Sequence, residues 1–253
     1  MKHIIITIIS LFIINTFTMA NDTVKLLELP KEGIDNLDID CEAGFLKVYG
    51  IEGLDKIEVK AEIVVDISNK EDRENFIRDR VRLSLERRGN KAVLISHIDN
   101  HSFFSRHELI NLTVRMPQKM NLKVDDGSGW MEIKDIVGDL SIDDGSGGID
   151  ITNITGNVHI DDGSGEVNLN TITGYVEVED GSGELEIENI TGDLNVDDGS
   201  GSLRISNIAG NVIITDGSGS IDIDGVDKDV TIKEAGSGGL SIHDVKGRVE
   251  KRD

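Results

Sequence analysis

The chain of 253 residues carries 48 acidic and 26 basic side chains, which gives a formal net charge of −22. A surface of this sign is repelled by nucleic acid and by anionic lipid, so both are disfavoured as partners unless multivalent cations bridge them. Cys41 is the only cysteine, which excludes a disulfide within the chain.

Residues 1–20 have the pattern of a signal peptide. Lys2 precedes an apolar stretch over residues 4–17, and Ala20 is followed by the polar segment NDTVK. The apolar stretch is shorter than the roughly 20 residues that a membrane-spanning helix needs, and no later segment is apolar enough to be one. Cleavage near Ala20 is therefore expected to export a chain without a membrane span to the periplasm, the cell surface or the medium. A retained N-terminal anchor is the alternative.

Residues 21–124 predict an irregular β region that contains one short helix. Apolar and polar residues alternate in segments such as LDIDCEAGFLKVYG and KIEVKAEIVVD, which indicates strands. Between strands, the segment SNKE at residues 68–71 has the pattern of a capping box and predicts a helix through Phe76 and Ile77. Because a stack of strands ends in unpaired backbone groups, we expect this region to cover one end of the repeats and the basic tail, residues 247–253, to cover the other.

Residues 125–253 form the third segment, an internal repeat built on the motif GSG. The first Gly of successive copies lies at 127, 145, 163, 181, 199, 217 and 236, which gives intervals of 18 residues and a single interval of 19. Apolar residues follow that Gly at the fourth, sixth and ninth positions. Alternation of this kind predicts short strands with one buried face.

The fixed period predicts an all-β fold, a parallel β-solenoid (β-helix) of 18-residue coils. Each unit reads as strand, corner, strand, corner, and it has too little apolar surface to be stable unless it stacks on its neighbours. An antiparallel sandwich of hairpins is the alternative, but it gives the fixed period no structural cause. The longer interval predicts an extra residue near Asp227 and Lys228, at a corner of the sixth coil.

The motif DDGSG places two aspartates in different positions. The second Asp of each copy is expected to point into the corner, where its carboxylate accepts hydrogen bonds from the backbone N–H groups of Gly-Ser-Gly. The first Asp points outward, and outward carboxylates about 5 Å apart either repel or recruit cations, for which calcium is the natural choice outside the cell. This outward row, the predicted cation ladder, consists of Asp125, Asp143, Asp161, Glu179 and Asp197.

No catalytic or cofactor-binding residue stands out. A nucleophile needs a base within reach, and only His159 and His243 lie in the repeats. A motif present in seven copies indicates a corner of the scaffold better than it indicates an active site. His97, His101 and His107 form the densest histidine cluster, but their spacing matches no familiar metal motif and indicates a solvated loop.

The combination of a signal peptide, the segment LDIDCEAGFLKVYG, a strand ending in Met116-Pro117 and coils of the form G-x-I-x-I-x-x-I-x-G-x-L-x-I-x-D resembles the bacterial putative-adhesin family. The resemblance covers nearly the whole chain after residue 20 and implies a right-handed parallel β-solenoid of unknown function. We therefore expect an exported, acidic, non-enzymatic interaction module of the cell envelope or cell surface. Its expected partner is an envelope protein or glycan, with contacts that divalent cations modulate. A carbohydrate-active β-helix enzyme and a calcium-dependent folding module are the alternatives.

Overall fold

The computed structural model describes residues 16–19, 22–99 and 108–252. The predicted signal peptide therefore lies almost entirely outside the described residues, as do His101 and His107 of the histidine cluster. Within the described ranges, no helix is long and apolar enough to cross a membrane.

In the described residues, the N-terminal region consists of seven strands and one helix. Its elements are β1 (Thr16–Met19), β2 (Asp22–Pro30), β3 (Asn36–Ile51), β4 (Lys56–Val64), α1 (Lys70–Arg80), β5 (Val81–Arg88), β6 (Lys91–Ile98) and β7 (Leu109–Pro117). Strand β4 pairs antiparallel with both β2 and β7, whereas β3 pairs parallel with β6 and β7. Mixed pairing of this kind matches the irregular β region that the sequence predicts.

The helix begins one residue later than a capping box would place it. Asn69 is the N-cap, and its side-chain oxygen accepts hydrogen bonds from the backbone N–H groups of Glu71 at 2.9 Å and Asp72 at 3.2 Å. Asn and Ser are almost equally good N-caps, so the pattern SNKE offers two starting points and the chain uses the second.

Strand β3 connects the N-terminal region to the repeats. It pairs in parallel with β8 (Asn121–Val137), in register from Asn36 opposite Asn121 to Tyr49 opposite Lys134. Strand β8 begins four residues before the first DDGSG motif. The segment LDIDCEAGFLKVYG therefore supplies the layer on which the first regular coil stacks.

The repeats form a parallel β-solenoid of about seven turns. After β8 they comprise β9 (Leu140–Asp144), β10 (Gly147–Thr155), β11 (Val158–Asp162), β12 (Gly165–Thr173), β13 (Val176–Asp180), β14 (Gly183–Ile190), β15 (Leu194–Asp198), β16 (Gly201–Ile208), β17 (Val212–Asp216), β18 (Gly219–Val226), β19 (Val230–Ala235), β20 (Leu240–Val245) and β21 (Val249–Lys251). Each strand pairs in parallel with the strand two places along the chain, as β10 does with β8 and β12. The predicted fold class is confirmed, and the antiparallel sandwich is wrong.

The core consists of aliphatic columns that run along the stack. In the second coil they are Ile149, Ile151, Ile154, Val158 and Ile160, all at most 1% exposed. Like residues stack on like at the parallel spacing of about 4.8 Å, so each coil extends the apolar surface of the one before it.

Apolar residues lie at the sixth and ninth positions after the first Gly of each GSG, which breaks strict alternation. A residue in the left-handed backbone conformation explains this irregular step. Asn153 has φ of 60°, and it lies outside the register that pairs its neighbours with the next coil. This bend turns Ile154 back toward the core, where it is 1% exposed. The same column holds Asp135, Thr171, Asn189 and Asn207, with φ between 57° and 62°.

Two details differ from the sequence predictions. The extra residue of the longer interval is Lys233, because the register shifts between Ile214 and Thr215 where β17 pairs with β19; its predicted position near Asp227 is wrong. The basic tail does not cover the last coil either. Residues 249–251 form β21, which continues the stack on β19, and its Val249 is 51% exposed.

Candidate functional site

An open groove of about 420 Å³ lies where β3 and β6 meet the first coils. Leu122, Leu140 and Val158 also border it, but each is at most 2% exposed because its side chain packs in the core. Its polar lining comes from segments far apart in the sequence: Asn36, Asp38, Lys91, Asn121, Lys123, Asp139, Ser141, Asn157, His159, Tyr175 and Glu177. We call it the Tyr175 groove, because Tyr175 is 40% exposed and is its only aromatic residue.

One border of the groove belongs to a row of side chains that we call the corner ladder. At the corner after Gly138, the Asp139 backbone N–H donates to Asn121 Oδ1 at 2.9 Å, and the Asn157 N–H donates to Asp139 Oδ1 at 2.9 Å. The pattern resumes further along with Asp193, whose Oδ1 accepts from the Asn211 N–H at 2.7 Å. Short Asn and Asp side chains thus bond the corner of one coil to the next.

Tyr175 interrupts the corner ladder. Its own backbone N–H donates to Asn157 Oδ1 at 3.2 Å, so the coil before it makes the usual bond. A phenol ring has no carbonyl or carboxylate oxygen close to the backbone with which to accept the bond from the next coil. The ring instead stands at the edge of the groove, and burial, together with the charge of Glu177, raises the pKa of its hydroxyl. Tyr175 therefore lacks the oxygen that Asn or Asp would offer to the backbone N–H of the next coil at this corner.

The other border carries one ion pair and one histidine–carboxylate contact. Lys91 Nζ lies 2.8 Å from Asp38 Oδ2, and His159 Nδ1 lies 3.5 Å from Glu177 Oε2. His159 and Glu177 face each other in the parallel register of β11 and β13. The groove therefore presents amides, both signs of charge and one tyrosine ring at an open surface.

The outer acidic row lies where the sequence places it. Asp125, Asp143, Asp161, Glu179 and Asp197 are all exposed, and they follow one another in register along the stack. Among the described residues, no group of three or more His, Cys, Asp or Glu side chains is arranged to hold a metal ion. The row therefore presents a line of separate carboxylates.

The inner aspartates point into the corners, as the sequence predicts. Asp162 Oδ1 accepts a hydrogen bond from the Ser164 N–H at 3.2 Å, and Asp180 Oδ1 accepts one from the Ser182 N–H at 3.1 Å. The carboxylates are nevertheless only partly satisfied, because Asp162 Oδ2 and Asp180 Oδ2 are buried without a partner. The simple Asx-turn role accounts for one oxygen of each.

The other residues that the sequence singled out are engaged in local contacts. Trp130 Nε1 donates to Asp150 Oδ2 at 2.9 Å, and Lys47 Nζ lies 5.2 Å from the centre of the Trp130 ring. His97 Nε2 lies 2.6 Å from Asp40 Oδ1. Neither Trp130 nor His97 lines the groove.

Sequence reasoning missed the groove, but the signal for its central residue was present. The residue after the Gly of the second corner is Asn or Asp in four units (Asp139, Asn157, Asp193 and Asn211), Tyr175 in one and Arg248 in the last. A single aromatic residue in a column of Asn and Asp breaks the rule of the repeat. The contribution of Lys91 from β6 has no such signal in the sequence.

The fold and this groove define a parallel β-solenoid with a mixed polar and aromatic cleft. A scan of family models matches residues 34–252 to the Toastrack family DUF4097, so the chain belongs to that family. This confirms the resemblance to the putative-adhesin group, whose members are among the similar solved structures. A comparison with curated proteins finds no match.

Solved structures of similar fold share little sequence with this chain. A protein from Bacteroides fragilis described as a putative adhesin is 15% identical, with a TM-score of 0.47, over 90% of this chain and 97% of the other. One from Parabacteroides merdae, also described as a putative adhesin, is 14% identical, with a TM-score of 0.36, over 91% and 96%. A protein from Parabacteroides distasonis described as a putative lipid binding protein is 13% identical, with a TM-score of 0.32, over 91% and 97%.

Proposed function

We propose that this protein is an exported, non-enzymatic, adhesin-like interaction module of the cell envelope or cell surface, and that it binds an envelope glycan through the Tyr175 groove. The observation that carries the proposal is the interruption of the corner ladder. Asn or Asp at that corner would bond two coils, so the exposed tyrosine replaces a structural contact with an aromatic surface at the edge of the groove.

The chemistry of the groove suits a sugar. The face of the Tyr175 ring is an apolar surface on which a pyranose can lie, and its hydroxyl adds a polar end. Around it, Asn36, Asn157 and Ser141 offer donors and acceptors for sugar hydroxyls. With a net charge of −22, the chain favours uncharged glycans or those carrying amino groups over anionic ones.

The carboxylates of the groove support a binding role over a hydrolytic one. Glycoside hydrolysis needs one carboxyl group that donates a proton and a second that attacks or activates water. Asp38 is paired with Lys91, Glu177 with His159, and Asp139 accepts the backbone N–H of Asn157. Each acid is occupied by the scaffold or by a neighbouring base, so no acid pair is free to act on a bound sugar.

The proposal includes export of the chain and an influence of divalent cations on its contacts. The sequence pattern of residues 1–20 supports export. The outer acidic row places like charges about 4.8 Å apart, and divalent cations that collect along it reduce their repulsion and bridge the surface to other acidic groups.

Binding to a panel of envelope oligosaccharides, measured by isothermal titration, tests the proposal. In the variant Tyr175→Asn the corner ladder becomes continuous, so the fold is retained while the aromatic surface is removed. We expect affinity for any bound glycan to fall at least about tenfold, which corresponds to roughly 1.4 kcal/mol. Trp130→Phe is the matched control, because it changes an exposed aromatic residue outside the groove. Equal affinity of Tyr175→Asn and the unaltered protein would contradict the assignment.

A further inference from the structure

A row of buried carboxyl groups runs through the solenoid, and the proposed function does not use it. The second Asp of each motif faces its counterpart in the next coil in the parallel register. All members are at most 5% exposed. We call them the inner aspartate row: Asp126, Asp144, Asp162, Asp180, Asp198 and Asp216.

Every member of this row except Asp126 has at least one carboxylate oxygen that is buried without the hydrogen-bond partner an ionised group needs. Both oxygens of Asp198 and both oxygens of Asp216 are buried without a hydrogen bond. Each residue is only 1% exposed, so water does not replace the missing partner. One oxygen of Asp144 is in the same position. A buried carboxylate without partners is strongly destabilising, and such a group normally takes up a proton instead.

Nothing else in the described part of the protein neutralises the row. No Lys, Arg or His nitrogen lies within 4.0 Å of these carboxylates among the described ion pairs. The described residues also contain no His, Cys, Asp and Glu cluster that could hold a metal. The cavity that touches Asp126 has about 10 Å³, no more than one water needs.

The spacing of the row matches hydrogen bonds between carboxyl groups. Parallel strands lie about 4.8 Å apart, so each carboxyl group has another directly above and below it. An O–H···O⁻ bond between such groups is about 2.5–2.7 Å long, which side chains stacked at this spacing can reach. A proton between two carboxyl groups then satisfies an oxygen on each and removes one negative charge.

We propose that the inner aspartate row is a proton-binding site, in which neighbouring carboxyl groups take up protons from water on folding and share them through O–H···O bonds between coils. The row has uncharged ends. At one end the Cys41 thiol faces Asp126, and at the other Ala235 follows Asp216.

The electrostatics of the row agree with this. Burial, with the charges of neighbouring aspartates, raises the pKa of Asp144 to about 7 and that of Asp180 to about 6. The charged groups that face the row are also acidic. They are the inner neighbours themselves, the adjacent Asp125, Asp161 and Asp197 of the outer acidic row, and Glu234.

The sign of the pH dependence follows from these shifts. An aspartate in the unfolded chain has a pKa of about 3.9, so between about pH 4 and pH 7 the folded protein holds more protons than the unfolded chain. The contribution of the inner aspartate row to the free energy of unfolding is therefore fully present below about pH 4. It is lost as the pH rises through the pKa values of the folded protein, about 6 to 7. Each extra proton held on folding raises the unfolding equilibrium constant about tenfold per pH unit.

Urea unfolding over a pH series, at a fixed high salt concentration that screens the surface charges, tests the proposal. For the unaltered protein we expect the unfolding constant to rise at least about tenfold per unit between about pH 5 and pH 7. The variant Asp162→Asn/Asp180→Asn keeps donors and acceptors in the row without needing protons, so its slope is shallower and it is the more stable protein at pH 8. The matched control, Asp161→Asn/Glu179→Gln, changes the exposed neighbours and keeps the steep slope.

A second measurement does not depend on the variants folding. The infrared carbonyl band of protonated carboxyl groups is expected in the unaltered folded protein at about pH 5, between the unfolded and the folded pKa values, and it weakens strongly on unfolding at the same pH. The proposal is overturned if the band at about pH 5 is equally strong in the folded and the unfolded protein. It is equally overturned if the inner and outer variants have the same slope, or if elemental analysis finds a metal bound in proportion to the row.

Discussion

Cys41 of β3 lies directly opposite Asp126 of β8 in the parallel register. The irregular N-terminal region and the regular repeats thus share one column, in which a thiol stands at the position that aspartate occupies in the next coil. Burial and the charge of Asp126 raise the pKa of the Cys41 thiol well above its usual range.

A buried, protonated thiol reacts slowly, because the thiolate is the nucleophile. We expect Cys41 in the folded protein to be alkylated on the order of a hundredfold more slowly at pH 8 than in the urea-unfolded chain. Reaction with a chromogenic thiol reagent measures both rates. Equal rates would mean that β3 does not stay paired with β8.

Thr171 has a left-handed backbone conformation that suits the Asn residues at the same position of other coils better than it suits threonine. Its φ is 61°, and a β-branched residue in the left-handed region is strained, whereas Asn, present at residues 153, 189 and 207, is tolerated. Thr171→Asn is therefore expected to stabilise the protein by about 1 kcal/mol in urea unfolding. Asn153→Thr makes the reverse change one coil earlier, and it should destabilise by a similar amount.

The second Gly of each GSG permits the coils to approach each other. A Cβ atom on Gly165 would lie 1.6 Å from the carbonyl oxygen of Gly147. Since the contact is with backbone, no side chain can move to relieve it, and Gly165→Ala is expected to cost more than about 3 kcal/mol in urea unfolding. Gly239→Ala is the control, because nothing lies within 4 Å of its Cβ. Similar stability of the two variants would show that the coils are not this closely packed.

The outer acidic row should respond to divalent cations. Replacing Asp143 and Asp161 with Asn removes two adjacent charges from it without changing the core. We expect calcium to raise the midpoint of thermal unfolding of the unaltered protein by about 2–4 °C over its value with a chelator, as about 1 kcal/mol does for a chain of this size. The double variant should show a clearly smaller rise. If chelation leaves the midpoint of the unaltered protein unchanged, cations have no structural effect at this row.

The sequence predicts those features that repeat. Apolar residues recur in every coil at the positions of Ile149 and Ile151. Few folds satisfy both a fixed repeat length and strands that alternate between a buried and an exposed face. The position of the extra residue is not determined in this way, because an insertion anywhere between two GSG motifs lengthens the interval equally. Only the register of β17 with β19 places it at Lys233.

The groove was harder to predict because its lining comes from separate layers. Lys91 belongs to β6 and Tyr175 to a corner between β12 and β13, and they lie at one site because β3 stacks both β6 and β8 in parallel. Residues that break a repeat are the usable signal. Tyr175 is such a residue, and the bond it fails to accept is visible only once the corner ladder is known.

The location of the binding site is the central claim, and an NMR titration of the amide and side-chain signals tests it most directly. With an envelope oligosaccharide that binds, we expect shift changes concentrated at Tyr175, His159 and Asn157, and no comparable changes along the outer acidic row. Shift changes centred on that row or on Trp130, with Tyr175 unaffected, would contradict it.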